Sequence, residues 1–451
     1  MESHPPARPE KRISRKAIVL GAAVFAGALL GALFLRKDPA EKDPKKTPTE
    51  LDASDSALPP DASPATLASA IANLLDAGKP KKDTRATDAG VSSCRLIFGP
   101  KQQWITGPGA LHAKARTLSV IVQKAGVPVV HTESIVPKAK AHAQRQSFEG
   151  KADVATSPVC AVTDTHIFCN DASGVLHRTQ WHGNGVLIGS GNNVATTSPG
   201  TRPSALNVVL NGITTTILAY ERVRKTTEGD VLESYARLSG DNLESPERRL
   251  SDDGSGATDT RLVPTSTGAI AVSVDARIAM SPVHAREIRV KPKAPEADRI
   301  QLGKDQVLFV GGGMQSYVWL GASSIARDRT YVLLPHPLDQ GFGLSVIEVS
   351  DPPAVDETAT ETLYGDGMES PHIEGTIGTK RAWVLRMIPE HGTGRKMLEL
   401  GEIKAGKFVG LGGIQTSGSV KNFSLAEDLD GAVWVYFTDN EGSWLERRDC
   451  P

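Results

Sequence analysis

The chain has 451 residues, 39% of them hydrophobic, and 51 Lys+Arg against 52 Asp+Glu give a formal net charge of −1. That balance excludes a broadly basic nucleic-acid binder and a polyacidic chain. Aromatic residues make up only 5%, thin for a protein that stacks on bases or sugars, while 43 Gly and 29 Pro point to many turns and few long helices.

Residues 1–16 form a short basic tail carrying Arg8, Lys11, Arg12, Arg15 and Lys16. Residues 17–35 follow as an uncharged apolar run without Pro, about 28 Å long as a helix and close to the thickness of a hydrocarbon core. The flanking charge predicts an N-in transmembrane signal anchor with a cytoplasmic tail and the bulk of the chain outside the cytoplasm. The competing reading is a cleaved signal peptide at Ala26-Gly27-Ala28, against which the apolar run continues well past that site.

Residues 36–90 are rich in Pro, Ala, Asp and Lys and contain no aromatic residue. Such a stretch buries too little apolar surface to offset its ordering entropy and reads as a disordered linker. One short helix is expected within it, over 64–77. Ser63 suits its cap, Pro64 its first position and Gly78 its stop, and Leu67, Ile71, Leu74 and Leu75 share a face.

Residues 91–451 form the head, expected to be all-β. Its strongest apolar runs are Thr117–Gln123, Thr165–Asn170, Thr214–Glu221, Gly268–Asp275, Thr330–His336, Lys380–Met387 and Gly431–Thr438. Several are followed by a turn and a second strand, at Leu232–Ser239, Leu344–Ser350, Met397–Ile403 and Ser443–Arg448. Multi-strand units recurring every fifty or so residues predict a β-propeller of about seven four-stranded blades. The long step from Gly268 to Thr330 leaves six or eight blades open, and a pair of β-sandwiches is the rival architecture.

Asp430-Gly431-Ala432-Val433-Trp434 resembles the strand entry of many bacterial propeller repeats, and Thr267-Gly268-Ala269-Ile270 is a weaker copy. Cys160-Ala161-Val162 through Cys169 is similar to a segment of RCC1-type propeller repeats. These resemblances imply a propeller and carry no function or site residue with them.

The four cysteines, Cys94, Cys160, Cys169 and Cys450, suit two disulfides in an oxidising compartment. With Asp164-Thr165 as a two-residue hairpin loop, counting outward places Cys160 opposite Cys169 in a non-hydrogen-bonded pair, within disulfide range. Cys94 and Cys450 then remain, at the two ends of the head, where a bond would lock a ring closed by its first and last strands.

No nucleophile elbow, HExxH, phosphate loop or EF-hand loop occurs, so no catalytic, cofactor-binding or metal-ligating residue is assigned. His177 and His182 fall on opposite faces of one strand and read as surface residues. Asp428/Asp430 and Asp439/Glu441 read as solvated turn residues. The basic run Lys138, Lys140, His142, Arg145 and Lys151 reads as an exposed loop between blades, with contact to an anionic partner as its sharper use. The function expected is a non-catalytic binding or scaffolding module of the cell envelope, with an envelope protein or wall polymer as partner and no nucleic acid. The alternatives are a hydrolase or lyase acting on envelope or extracellular glycans, which predicts carboxylates converging in the central channel, and a surface sensor acting through the anchor.

Overall fold

The computed structural model describes residues 94–147, 153–154 and 159–451, apart from short stretches at connections, the longest being 310–320. The basic tail, the apolar run 17–35, the linker and its helix 64–77 lie outside these residues. Among the described residues no helix is long and apolar enough to cross a membrane.

Among the described residues the head is a ring of seven antiparallel sheets, with one further two-stranded parallel pair beside the closing strand. The first blade comprises Ala110–Lys114, Thr117–Lys124 and Val127–Ser134; the second, Ala161–Val162, His166–Asn170, Val175–His182 and Val186–Thr196. The third is Ser204–Leu210, Ile213–Thr226, Gly229–Leu238 and Arg248–Arg249; the fourth, Thr258–Pro264, Gly268–Val274, Val283–Val290 and Ile300–Phe309. The fifth is Gly321–Ala326, Arg329–Pro337, Phe342–Ser350 and Ala359–Tyr364; the sixth, Ile373–Ile377, Ala382–Pro389, Lys396–Lys404 and Lys407–Ile414. The seventh joins Asn422–Glu427, Val433–Thr438 and Ser443–Asp449 to Arg95–Gln103, so the first strand of the head is the outer strand of its last blade. The first-listed strands of successive blades pack side by side, and that of the seventh returns to that of the first, closing the ring around a central channel.

Each apolar run read from the sequence is the second strand of a blade. These strands are covered on both faces by neighbouring blades, so Gly268–Val274 and Val433–Thr438 are buried throughout and read as continuous apolar runs rather than alternating ones. Leu118 and Val120 pack with Trp434 and Tyr436 across the seam between the seventh and first blades. Ile121, on the other side of the same strand, meets Ile167 and Trp181 of the second blade. One expectation is corrected: among the described residues the first blade has three strands, not four. The chain after Ser134 turns instead along the closing strand. Gln146 pairs with Lys101, Ile105–Thr106 pairs with Asp153–Val154, Lys138 bonds Asp449, and Arg145 bonds Glu441 and covers the Trp444 ring. Lys138 and Arg145 of the basic run are thereby engaged within the head, while Lys151 lies outside the described residues.

The turns carry a repeated code. Asp171, Asp428 and Asp439 each stand three residues before a glycine of positive φ, at Gly174, Gly431 and Gly442. Each carboxylate accepts the backbone N–H two residues on, from Ser173, Asp430 and Glu441. This is the side-chain turn geometry that Asp favours.

Asp428 is not solvated, contrary to its reading as a surface turn residue. It is 3% exposed and accepts the indole N–H of Trp434 at 2.8 Å and Arg447 Nε at 2.7 Å. Asp439 is likewise buried and accepts the Trp444 indole N–H at 3.0 Å. Aspartates beside tryptophan-bearing strands form these anchors because a buried indole N–H requires an acceptor.

Candidate functional site: the face opposite the seam cysteines

The connector from Thr196 to Ser204 must run from the rim of the second blade to the channel wall of the third. At about 3.3 Å per residue its seven residues have no length left to cross the thickness of the ring. Inner strands therefore begin on the face where outer strands end, here called the upper face. Second-to-third-strand turns share that face. Cys94 and Cys450 lie on the lower face, because Arg95 opens the closing strand opposite Asp449.

Both disulfides are present. Cys94 and Cys450 are bonded with Cα atoms 4.2 Å apart, and Cys160 and Cys169 with Cα atoms 4.6 Å apart. The hairpin register pairs Ala161 with Phe168 and Val162 with Ile167, and the Thr163 N–H donates to the His166 carbonyl at 2.9 Å. His177 bonds Asp171 at 2.8 Å, and His182 is exposed. Burial pushes the Asp171 carboxyl up, but hydrogen bonds from His177, Val175 and Ser173 outweigh it and hold the group below the usual carboxylate range.

The upper face is organised by the connector between the second and third blades. Buried Asn170 donates from Nδ2 to the carbonyls of Ser198 at 2.8 Å and Thr201 at 3.2 Å, while the Thr197 hydroxyl donates to Asn170 Oδ1 at 2.6 Å. The Thr197 N–H donates to Gly174 and the Ser198 N–H to Glu221. This pinned connector ends at Arg202, whose Nη1 meets Glu374 Oε1 at 2.7 Å. Glu374 lies on the inner strand of the sixth blade, with three blades between it and the connector in either direction. The ion pair therefore crosses the channel at its upper mouth.

Three carboxylates gather there. Glu374 faces Arg202, and Asp259 is held by Arg261 at 2.8 Å on the inner strand of the fourth blade. A register shift between Thr258 and Arg261, with Asp259 at positive φ, turns this residue out of the regular pleat. Glu221 is 6% exposed and accepts the Asp259 backbone N–H. Burial, with the neighbouring Asp259 charge, pushes its carboxyl up to about 7.

Beside the mouth rises an arm. The second and third strands of the third blade remain paired out to Thr226 and Gly229, whereas the inner strand stops at Ser204 opposite Ala219. Arg224 grips buried Glu233 with two bonds of 2.6 and 2.7 Å, stiffening the arm. Between arm and connector lies a cleft of about 490 Å³ lined by Thr196–Pro199, Arg222–Lys225 and Tyr235. A smaller cavity of about 250 Å³ lies between the first and second blades, at Val127, Pro128, His177 and Leu187.

Sequence reasoning assigned none of this upper-face cluster. The Asp-x-x-Gly repeat was a signal that could have placed the turns. Arg202 and Glu374 carry no motif and are 172 positions apart.

No protein-family model matches the chain, and no curated protein matches it. Among solved structures, the lectin of Aleuria aurantia in complex with α-methyl-L-fucoside is 10% identical, with 63% of this chain and 88% of the lectin covered at a TM-score of 0.39. Drosophila semaphorin 2a is 8% identical, with 79% and 77% covered at 0.41. The sialidase of Trypanosoma rangeli is 8% identical, with 79% and 58% covered at 0.36.

Proposed function

We propose that this chain is a membrane-anchored, extracytoplasmic β-propeller that serves as a non-catalytic binding module of the cell envelope and meets its partner through the upper face. The observation that carries the reading is the arrangement of the two faces. Cys94, where the described residues begin, lies on the lower face, and the arm, cleft and channel mouth stand on the other. Anchoring is supported by the apolar run 17–35, and an oxidising compartment by two disulfides with no free cysteine among the described residues. An envelope protein or a wall polymer would then be met by the upper face.

The test is photo-cross-linking in intact cells with the full-length protein. A photoreactive residue replaces Val223 on the upper-face arm, 49% exposed, or Leu429 in a lower-face turn, 67% exposed. Adducts are expected at Val223 and not at Leu429, in material accessible from outside the cytoplasm. Equal labelling at both positions, or adducts formed only inside the cytoplasm, overturns the reading.

The second reading, a glycan hydrolase or lyase, draws on the convergence of Glu221, Asp259 and Glu374 at the channel mouth. The same geometry argues against it. Arg202 and Arg261 hold two of the carboxylates, and Glu221 is turned onto backbone N–H groups and closed off from solvent. Turnover of envelope glycans abolished by Glu374→Gln would reverse this ranking.

A further inference from the structure

Among the described residues the first blade ends at its third strand, Val127–Ser134, where each of the six other blades adds a fourth. The two-residue turn Ala125-Gly126, both at positive φ, makes Lys124 and Val127 a hydrogen-bonded pair. Counting from there, Val127, Val129, His131 and Glu133 turn their backbone groups toward the second strand, and Pro128, Val130, Thr132 and Ser134 turn theirs outward. None of these four has a backbone partner on that side among the described residues. Pro128 brings no N–H, which suits an edge position. The other three are uncharged, so no charged side chain guards the edge against pairing.

This open place has two walls. On the side of the second blade, Val130 packs with Ile167 and Trp181, and Thr132 lies so close to Gly185 that a Cβ there would meet its methyl group. The wall continues into Leu187, 38% exposed, and the cavity of about 250 Å³ that it shares with Pro128. On the side of the seventh blade, Glu133 meets Lys101 at 2.6 Å, and Trp104, 47% exposed, donates its indole N–H to His131 at 3.2 Å. Val127, 64% exposed, stands at the upper end. Large apolar side chains thus stay in water on both sides of one unpaired backbone edge.

We propose that the outer edge of Val127–Ser134 binds an extended segment of a protein partner, which adds antiparallel as the fourth strand of this blade. The edge itself specifies the occupant: N–H and C=O groups alternating at strand spacing are matched by another extended backbone. The ring shows the same place filled by a strand in its six other blades. Alternate residues of the segment face Leu187 and the cavity and are therefore apolar, while the residues between them lie toward Trp104. The site stands on the rim, and it goes beyond the upper-face reading without resting on it.

The test uses the full-length protein and the end-blocked peptide Lys-Val-Thr-Val-Thr-Val-Lys, with residue-resolved amide hydrogen exchange as the readout. Binding is expected to slow exchange at Val130 and Thr132 at least about tenfold and to leave Val129 and His131, already paired with the second strand, unchanged. Thr132→Pro removes an N–H that no backbone bond among the described residues uses, so the melting temperature is expected to hold while peptide affinity falls at least about tenfold. Leu187→Ser is expected to lower affinity about fivefold through the wall. No binding, binding without protection of Val130 and Thr132, or binding indifferent to Thr132→Pro overturns the assignment. Protection of both amides in the protein alone would mean that the edge is already filled, by another part of the chain or by a second copy, and overturns it as well. Adducts at Val223 in cells would survive any of these results, so the two readings fail separately.

Discussion

In the seventh blade the charged side chains are withdrawn from water and joined; in the third they stand at the edge of an open cleft. Arg447 is fully buried, bonded to Asp428 at 2.7 Å and to Asp430 at 3.0 Å, with a further bond to the Val136 carbonyl in the segment that crosses the seam. Arg222 in the third blade has one ion pair and one ring to rest on, and Lys225 has neither. The seam must hold the ring shut, so its charges are spent on internal bonds with good geometry. The arm has no closure to maintain, and its unspent donors face outward. Closed and open charge thus fall to different blades, and the ring fixes where the arm stands.

The comparison breaks most directly at the seam. Replacing Cys94 and Cys450 together by Ser is expected to destabilise the head by roughly 5 kcal/mol, from the size of the chain loop that the bond closes. A melting temperature unchanged from that of the wild type would show that strand pairing alone closes the ring. Next in size is Asp428→Ala. It leaves the buried Arg447 guanidinium and the Trp434 indole short of an acceptor and is expected to cost about 3–5 kcal/mol in denaturant unfolding. A loss no greater than that of an exposed turn aspartate would return Asp428 to the surface role that its sequence suggests.

The smallest effect belongs to the third blade and depends on pH. Glu221 titrates near 7 in the folded head and near 4.5 in the unfolded chain. Between those values the folded state binds the extra proton, so stability falls as pH rises from about 4.5 to 7 and stays low above. Glu221→Gln should remove that slope and raise stability at pH 8 by at most about 3 kcal/mol. Denaturant unfolding of both proteins from pH 5 to 8 measures it. Parallel curves would mean that Glu221 is ionised throughout.

The blade count was legible because second strands are buried on both faces and leave unbroken apolar runs. The inner strands were not, since Ala110–Lys114 has no buried residue and turns the polar His112 and Lys114 toward Asp164 of the second blade. Ala161–Val162 is simply too short to show a period. The Cys160–Cys169 pairing was legible because a hairpin register is local, and the Cys94–Cys450 bond because ring closure leaves no other use for two terminal cysteines. The channel-mouth cluster was not legible. Arg202 meets Glu374 only after the intervening blades have curved the chain through half a circle, and no spacing rule encodes that. Among the described residues the first blade has no fourth strand for a similar reason: the segment after Ser134 has partners on the closing strand that local pattern does not reveal.

That diverted segment also bears on the order of assembly. During synthesis Arg95–Gln103 emerges about 340 residues ahead of its sheet partner Ser443–Asp449. At the usual rates of chain growth that is a wait of roughly 20–70 s with one strand edge open to other chains. Gln146 emerges only some 45 residues later and bonds the same strand, donating to the Pro100 carbonyl at 2.9 Å and accepting from the Gln102 N–H at 2.8 Å. The segment after Ser134 thus covers one edge of the opening strand early, and only the other edge waits for the final blade.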